Sequence, residues 1–148
     1  MSGIDDADPE ALERITRAIR DFVPHNRALD LRVERFEGSG DVWVRLPFDA
    51  KLVGNPARGL LHGGAISTMM DAAGGLSVMA RLGRPSAIAT LDLRIDYLRR
   101  ADAGKDVVAH ASCYRVTKHV CFVRGVAYHD DESDPIAALT ATFARKSA

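Results

Sequence analysis

Apolar residues recur along this chain at two intervals, and the switches between them mark out its elements. Leu12, Ile15, Ile19 and Phe22 stand at helical spacing. Asp8-Pro9-Glu10 precedes them as an N-cap, a first-position proline and an acid in the first turn, and Pro24 closes the segment. Over residues 29–36, Leu31, Val33 and Phe36 alternate with charged residues apart from one slip. After the Gly38-Ser39-Gly40 turn, Val42, Val44 and Leu46 alternate again, which predicts a β-hairpin. Residues 47–59 hold two prolines, two glycines and Asn55, and read as a loop.

Helical spacing returns from Gly63 to about Leu82, with Gly83-Arg84-Pro85 as its stop. This helix is rich in small residues: Gly64, Ala65, Ser67, Ala72, Ala73, Gly74, Gly75 and Ser77. Glycine inside a helix costs roughly 1 kcal/mol relative to alanine, so an offsetting gain is required. Close wrapping by a sheet or close approach of a partner helix would supply it. Met69, Met70, Leu76 and Met79 form the apolar side, read as core.

Beyond residue 87 the pattern is strands only. They are predicted at 87–98, 106–116, 120–128 and 136–144, with an acidic turn at 130–134. Helix, two strands, long helix, four strands contains no βαβ repeat, so the sheet is expected to be antiparallel. The reading is α+β: one long helix held by a curved sheet of about six strands. A helical extension covers residues 1–26 and the main domain residues 27–148.

Bulk properties narrow the function. The chain has 148 residues, 47% of them apolar and 27% charged, which suits a single globular domain with one core. Lys plus Arg and Asp plus Glu number 20 each, so no overall field favours nucleic acid or an anionic membrane. The acidic start, Met-Ser-Gly-Ile-Asp-Asp, lacks the basic and apolar regions of a signal peptide, and no apolar stretch is long enough to span a bilayer. A cytoplasmic location is expected. Cys113 and Cys121 are then read as two buried free thiols. The five histidines (His25, His62, His110, His119, His129) do not cluster as metal ligands would, and no metal is assigned.

The chemistry concentrates in residues 55–71, Asn-Pro-Ala-Arg-Gly-Leu-Leu-His-Gly-Gly-Ala-Ile-Ser-Thr-Met-Met-Asp. A helix that opens on glycines offers unpaired backbone N–H groups at its positive end, a place for an anion or for the oxyanion of an attacked carbonyl. Asp71 interrupts a helix that is uncharged up to Arg81 in its last turn, and a carboxylate carried into a core is costly, which marks it as functional. No Gly-x-Ser-x-Gly elbow is present for a serine hydrolase, leaving Asp71 as the base.

Asn-x-x-x-Gly-x-x-His-Gly-Gly-(x)6-Asp, followed about twenty residues later by Thr-Leu-Asp-Leu-Arg-Ile-Asp-Tyr-Leu, resembles the hotdog-fold acyl-CoA thioesterases, and among them the phenylacetyl-CoA thioesterase-like (PaaI-type) group. The resemblance implies hydrolysis of acyl-CoA thioesters with water and no cofactor. It implies that the Gly63 amide polarises the thioester carbonyl and that Asp71 is general base or nucleophile. Asn55 and His62 would hydrogen-bond near the carbonyl, and Thr90 would orient the attacking water. Asn55 stands seven residues before His62, one more than in many relatives. Strict alternation puts Thr90 on the face opposite Leu91, Leu93 and Ile95, so a bulge or its place at the strand end must re-aim it.

Helix geometry adds an independent constraint. Gly63 and Asp71, eight residues apart, lie on one face but about 12 Å apart along the axis. A base must come within about 3 Å of its proton, or one water further. Asp71 therefore cannot serve a carbonyl held at its own Gly63, whereas an antiparallel partner helix would bring the two together twice by symmetry. The family pairs in this way, and an obligate homodimer is expected, paired again into a tetramer. Gly64 and Ser67 on the same opening turns, and Arg58, Arg99 and Arg100 on loops, are candidates for substrate contact, the arginines for coenzyme A phosphates. Arg81 and Arg84 are weaker candidates of the same kind. The acyl group is expected to be aromatic or of short to medium length. The competing reading is a module that binds acyl-CoA or an acyl carrier without turnover.

Overall fold

The computed structural model describes residues 8–146; the acidic opening of the chain lies outside this range. Helix α1 spans Pro9–Phe22, capped by the Asp8 carboxylate, which accepts from the Glu10 amide. Pro24 does not return the chain to a strand directly. It starts a second short helix, α2, Pro24–Ala28, because proline suits a first helical position as well as a stop. Strands β1 (Arg32–Phe36) and β2 (Asp41–Leu46) form the expected hairpin. The slip in the β1 pattern is a bulge between Val33 and Arg35.

The predicted loop before the long helix is more ordered than its composition suggests. It contains two 3-10 turns and a small ribbon of β3 (Val53–Asn55) with β4 (Leu60–Leu61). Its prolines and its left-handed glycine, Gly59 with φ 61°, shape the turns. Helix α3 then runs Gly63–Leu82 and ends on Gly83, also left-handed with φ 67°.

Strands β5 (Ile88–Tyr97), β6 (Val107–Val116), β7 (Val120–Tyr128) and β8 (Ala137–Arg145) complete a six-stranded antiparallel sheet in the order β1-β2-β6-β7-β8-β5. The fold is α+β with α3 lying on one sheet face. Val42, Val44, Ala109, Ala111, Val123, Leu139 and Phe143 meet Ile66, Met69, Met70 and Ala73 in one core. The small residues of α3 are used here. A Cβ at Gly74 would sit 3.0 Å from the Phe143 ring, so the glycine admits the aromatic side chain between helix and sheet. Cys113 and Cys121 are free and buried against the same core. None of the described helices is long and apolar enough to cross a membrane.

Candidate functional site

Asp71 does not lie among the buried residues of α3. It is half-buried, on the side of the helix that looks towards β5. Its Oδ1 accepts a 2.9 Å hydrogen bond from the Thr90 hydroxyl. The register of β5 explains how Thr90 gets there. Thr90 pairs with Phe143 and Asp92 with Thr142, so Leu91 is an extra residue in the strand. Thr90 thereby shares the inward face with Leu93 and Ile95, while Leu91 is pushed outward and is 57% exposed.

At the other end of the site, His62 is the N-cap of α3. Its backbone N–H donates to the Leu52 carbonyl at 2.8 Å, and its ring Nδ1 accepts from the Gly64 amide at 2.9 Å. The Gly64 N–H is thus spent on His62. A Cβ on Gly64 would lie 2.8 Å from that ring nitrogen, so the glycine is needed for the cap itself. The Ala65 amide is turned back to the His62 carbonyl at 3.1 Å. Of these opening amides, that of Gly63 has no acceptor among the described residues.

Ser67, one turn on, reaches back to the Gly63 carbonyl at 3.1 Å and touches the Tyr97 hydroxyl at 2.6 Å. Asn55 is held in its own turn, its side chain accepting from the Arg58 amide at 3.1 Å, and the structure does not bring it to His62 or Gly63 by a hydrogen bond. The arginines differ among themselves. Arg58 is exposed on the turn that Asn55 caps. Arg99 is tied to the Asp134 carbonyl at 2.9 Å and to its carboxylate at 3.3 Å, and Arg100 is 3.4 Å from Asp102. Arg81 reaches the Ser39 carbonyl at 3.3 Å, away from this group.

Two residues of the site escape the pattern reading. Tyr97 donates to the Gly63 carbonyl at 2.7 Å. An inward tyrosine beside a helix start was the available signal, since such a hydroxyl has to find a partner. Gly54 carried less signal. A side-chain carbon there would come within 2.8 Å of His62 Cα, so its absence lets the β3 ribbon seat the cap.

A separate cleft of about 290 Å³, lined by Asp41, His110, Ser112, Arg124 and Glu132 among others, opens on the sheet face away from α3 and includes none of these residues. There His110 stacks on Trp43 with centroids 3.9 Å apart and hydrogen-bonds both Asp41 and Glu132. Burial pushes the Asp41 carboxyl up, but hydrogen bonds from His110, Ser39 and Ser112 outweigh it and hold the group below the usual carboxylate range.

The arrangement supplies a free amide at a helix start, a neutral imidazole beside it and a carboxylate held by a hydroxyl two turns on, the parts of an acyl-transfer site. Comparison with known proteins decides the family: residues 58–136 match the model of the thioesterase superfamily. The chain belongs to the thioesterase superfamily. It is a thioester hydrolase with the hotdog fold.

Curated relatives of this superfamily member include the medium/long-chain acyl-CoA thioesterase YigI of Salmonella typhimurium and that of Escherichia coli. Each is 34% identical over 90% of this chain and 93% of its own. Among solved structures, a Pseudomonas aeruginosa protein is 43% identical, with TM-score 0.80 over 90% of this chain and 98% of its own. The E. coli PaaI protein from the phenylacetic acid degradation operon shares the fold at TM-score 0.77 and 17% identity, over 93% and 94% of the two chains.

Proposed function

We propose that this thioesterase hydrolyses acyl-CoA thioesters to the free acid and coenzyme A in sites shared between two copies of the chain. The carrying observation is the hydrogen bond from Thr90 to Asp71, made possible by the extra residue at Leu91. Bulges of this kind re-aim a side chain and are over-represented next to active sites.

The thioester carbonyl oxygen accepts from the Gly63 amide at the positive end of α3, where charge develops as the carbon is attacked. Asp71 takes a proton from a water as that water adds to the carbon, and the tetrahedral oxyanion collapses with loss of the coenzyme A thiolate, which is then protonated. Attack by the Asp71 carboxylate itself, with hydrolysis of the resulting anhydride, gives the same products. Thr90 spends its one hydroxyl proton on Asp71, so towards the water it acts as an acceptor, lining up a water lone pair with the carbonyl. His62 borders the carbonyl, Asn55 keeps the approach loop in shape, and Gly64 and Ser67 support the opening turn.

The site draws on two chains because Gly63 and Asp71 are about 12 Å apart along one helix. Strand β5 supports the same reading. It is a sheet edge ten residues long, and Leu91, Tyr97 and Leu98 are exposed along or just beyond it. A long edge of this kind is suited to pairing with a second copy. Medium-length acyl chains are where the sequence expectation and the relatives' names overlap. Arg100 and Arg58, less tied down than Arg99, are the better candidates for coenzyme A phosphates.

The test is release of free thiol from phenylacetyl-, benzoyl- and C4 to C12 acyl-CoA by wild type and Asp71→Asn. Turnover that collapses in the variant supports the reading. Binding of acyl-CoA without release in either protein would replace it with the carrier-module alternative.

A further inference from the structure

Three oxygens meet at the start of α3: the Tyr97 hydroxyl, the Ser67 hydroxyl and the Gly63 carbonyl, at 2.7, 3.1 and 2.6 Å for the pairs Tyr97–Gly63, Ser67–Gly63 and Tyr97–Ser67. Two hydroxyl protons can fill only two of these three contacts at a time. The shorter bond onto the carbonyl is that of Tyr97, and the shortest contact of the three is Ser67 to Tyr97. The arrangement that fills both has Ser67 donating to Tyr97 and Tyr97 donating to Gly63.

The Gly63 carbonyl belongs to the same peptide unit as the Gly64 N–H, and that N–H donates to Nδ1 of His62. Every donor therefore points the same way: Ser67 to Tyr97, Tyr97 to the 63–64 peptide, that peptide to His62. Hydrogen bonds in such a row polarise one another. A ring whose Nδ1 accepts carries its proton on Nε2 in the neutral form. The row ends in a fixed Nε2–H donor on an exposed side chain next to the Gly63 amide.

Packing within one chain does not account for Tyr97. It is 49% exposed, and its hydroxyl is nonetheless turned in to the helix start, 3.2 Å from where a Gly63 side chain would begin. We propose that Tyr97, backed by Ser67, is a positioning residue that locks the opening turn of α3 and sets His62 as an Nε2–H donor to the thioester carbonyl. This rests on the thioesterase reading of Gly63 and His62. It assigns Tyr97 a role in orientation, with no contact to the reacting atoms.

Tyr97→Phe keeps the ring and removes the hydroxyl. The expected result is a fall in kcat of about 10- to 100-fold, as for loss of orientation, with KM within about twofold. The ring nitrogens of 15N-histidine-labelled protein, with His62 assigned through His62→Ala, give the second readout. Wild type should show a single Nε2–H tautomer and Tyr97→Phe a mixture. Unchanged kcat with an unchanged His62 signal overturns the proposal. Should Tyr97→Phe fail to fold, Ser67→Ala is read the same way on both measurements, with a smaller loss expected. If wild type releases no thiol from any acyl-CoA, the functional reading fails, and the nitrogen spectra alone decide whether the relay exists.

Discussion

The Thr90 hydroxyl meets the Asp71 carboxylate at 2.9 Å across the gap between β5 and α3, joining the first inward residue after the strand's start to the middle of the helix. If Asp71 is base or nucleophile, Asp71→Asn lowers kcat at least about 100-fold, the usual scale for a lost acid–base group. Thr90→Val keeps the shape, removes the hydrogen bond and lowers kcat by about tenfold, because the carboxylate survives with less control over its direction. Steady-state kinetics on one acyl-CoA substrate separates the two. Equal losses in both variants would mean that Thr90 does more than orient.

Gly63→Pro removes the amide proton at a position whose backbone angles suit proline, while its Cβ meets the Tyr97 hydroxyl at 3.2 Å and requires that ring to shift by a few tenths of an ångström. Gly63 is the first residue of α3, and His62 before it has φ −72° and ψ 127°, a conformation compatible with a following proline. The expected loss is about 10²–10³ in kcat, that of one oxyanion donor, with circular dichroism unchanged. Mixing this variant with Asp71→Asn under conditions that exchange subunits should restore about a quarter of wild-type activity, since random pairing rebuilds one intact site in half of the dimers. No recovery, with subunit exchange shown independently, would count against a shared site.

Glycines in this fold differ in what they are for, and alanine substitutions should sort them. A Cβ at Gly125 would lie 2.4 Å from the His110 carbonyl oxygen on the neighbouring strand, a backbone atom that cannot step aside. Gly125→Ala should cost about 1–3 kcal/mol, as overpacking does. Gly38 in the first hairpin turn has nothing within 4 Å of its would-be Cβ. Gly38→Ala should change stability little, or raise it by about 0.4–1 kcal/mol through the unfolded chain. Denaturant titration of the two variants makes the comparison.

Burial, with Cys121 as a second cause, pushes the Cys113 thiol up to about 11, against 9.0 when unperturbed. The unfolded chain therefore loses this proton before the native one does. Native stability is complete below about pH 9 and drains away as pH rises through about 11. Cys121 and Tyr128, also raised by burial, act in the same direction. Unfolding free energies measured across this range should fall in wild type and fall less steeply in Cys113→Ala, whatever that variant's starting stability. Thiol reagents should label neither cysteine at neutral pH until the protein is unfolded.

Most of the architecture was legible because it follows from periodicity. The limits of α3 were marked by His62-Gly63-Gly64 and Gly83, and the sheet strands by alternation. The β1 bulge showed as a slip in that alternation, and the Leu91 bulge as a conflict over where Thr90 must point. What stayed hidden depended on contacts between distant segments. Nothing local in Val53-Gly54-Asn55 says that a ribbon there supports His62. The Tyr97 hydroxyl reads as one more inward residue until the strand is laid beside the helix start. Asp71 was expected towards the core because the helix around it is apolar, but those apolar residues face the sheet and leave the acid on the flank.

The inserted Leu91 has a consequence for how such a site can change over time. With the extra residue between them, the Thr90 end of β5 and the Tyr97 end are set by separate runs of pairing with β8. A substitution that shifts or twists one run is absorbed at the insertion before it reaches the other. The end that holds Asp71 through Thr90 and the end that holds the start of α3 through Tyr97 can therefore vary as independent modules on a single strand. Removing that one residue would couple them, and every later adjustment would have to satisfy both ends at once.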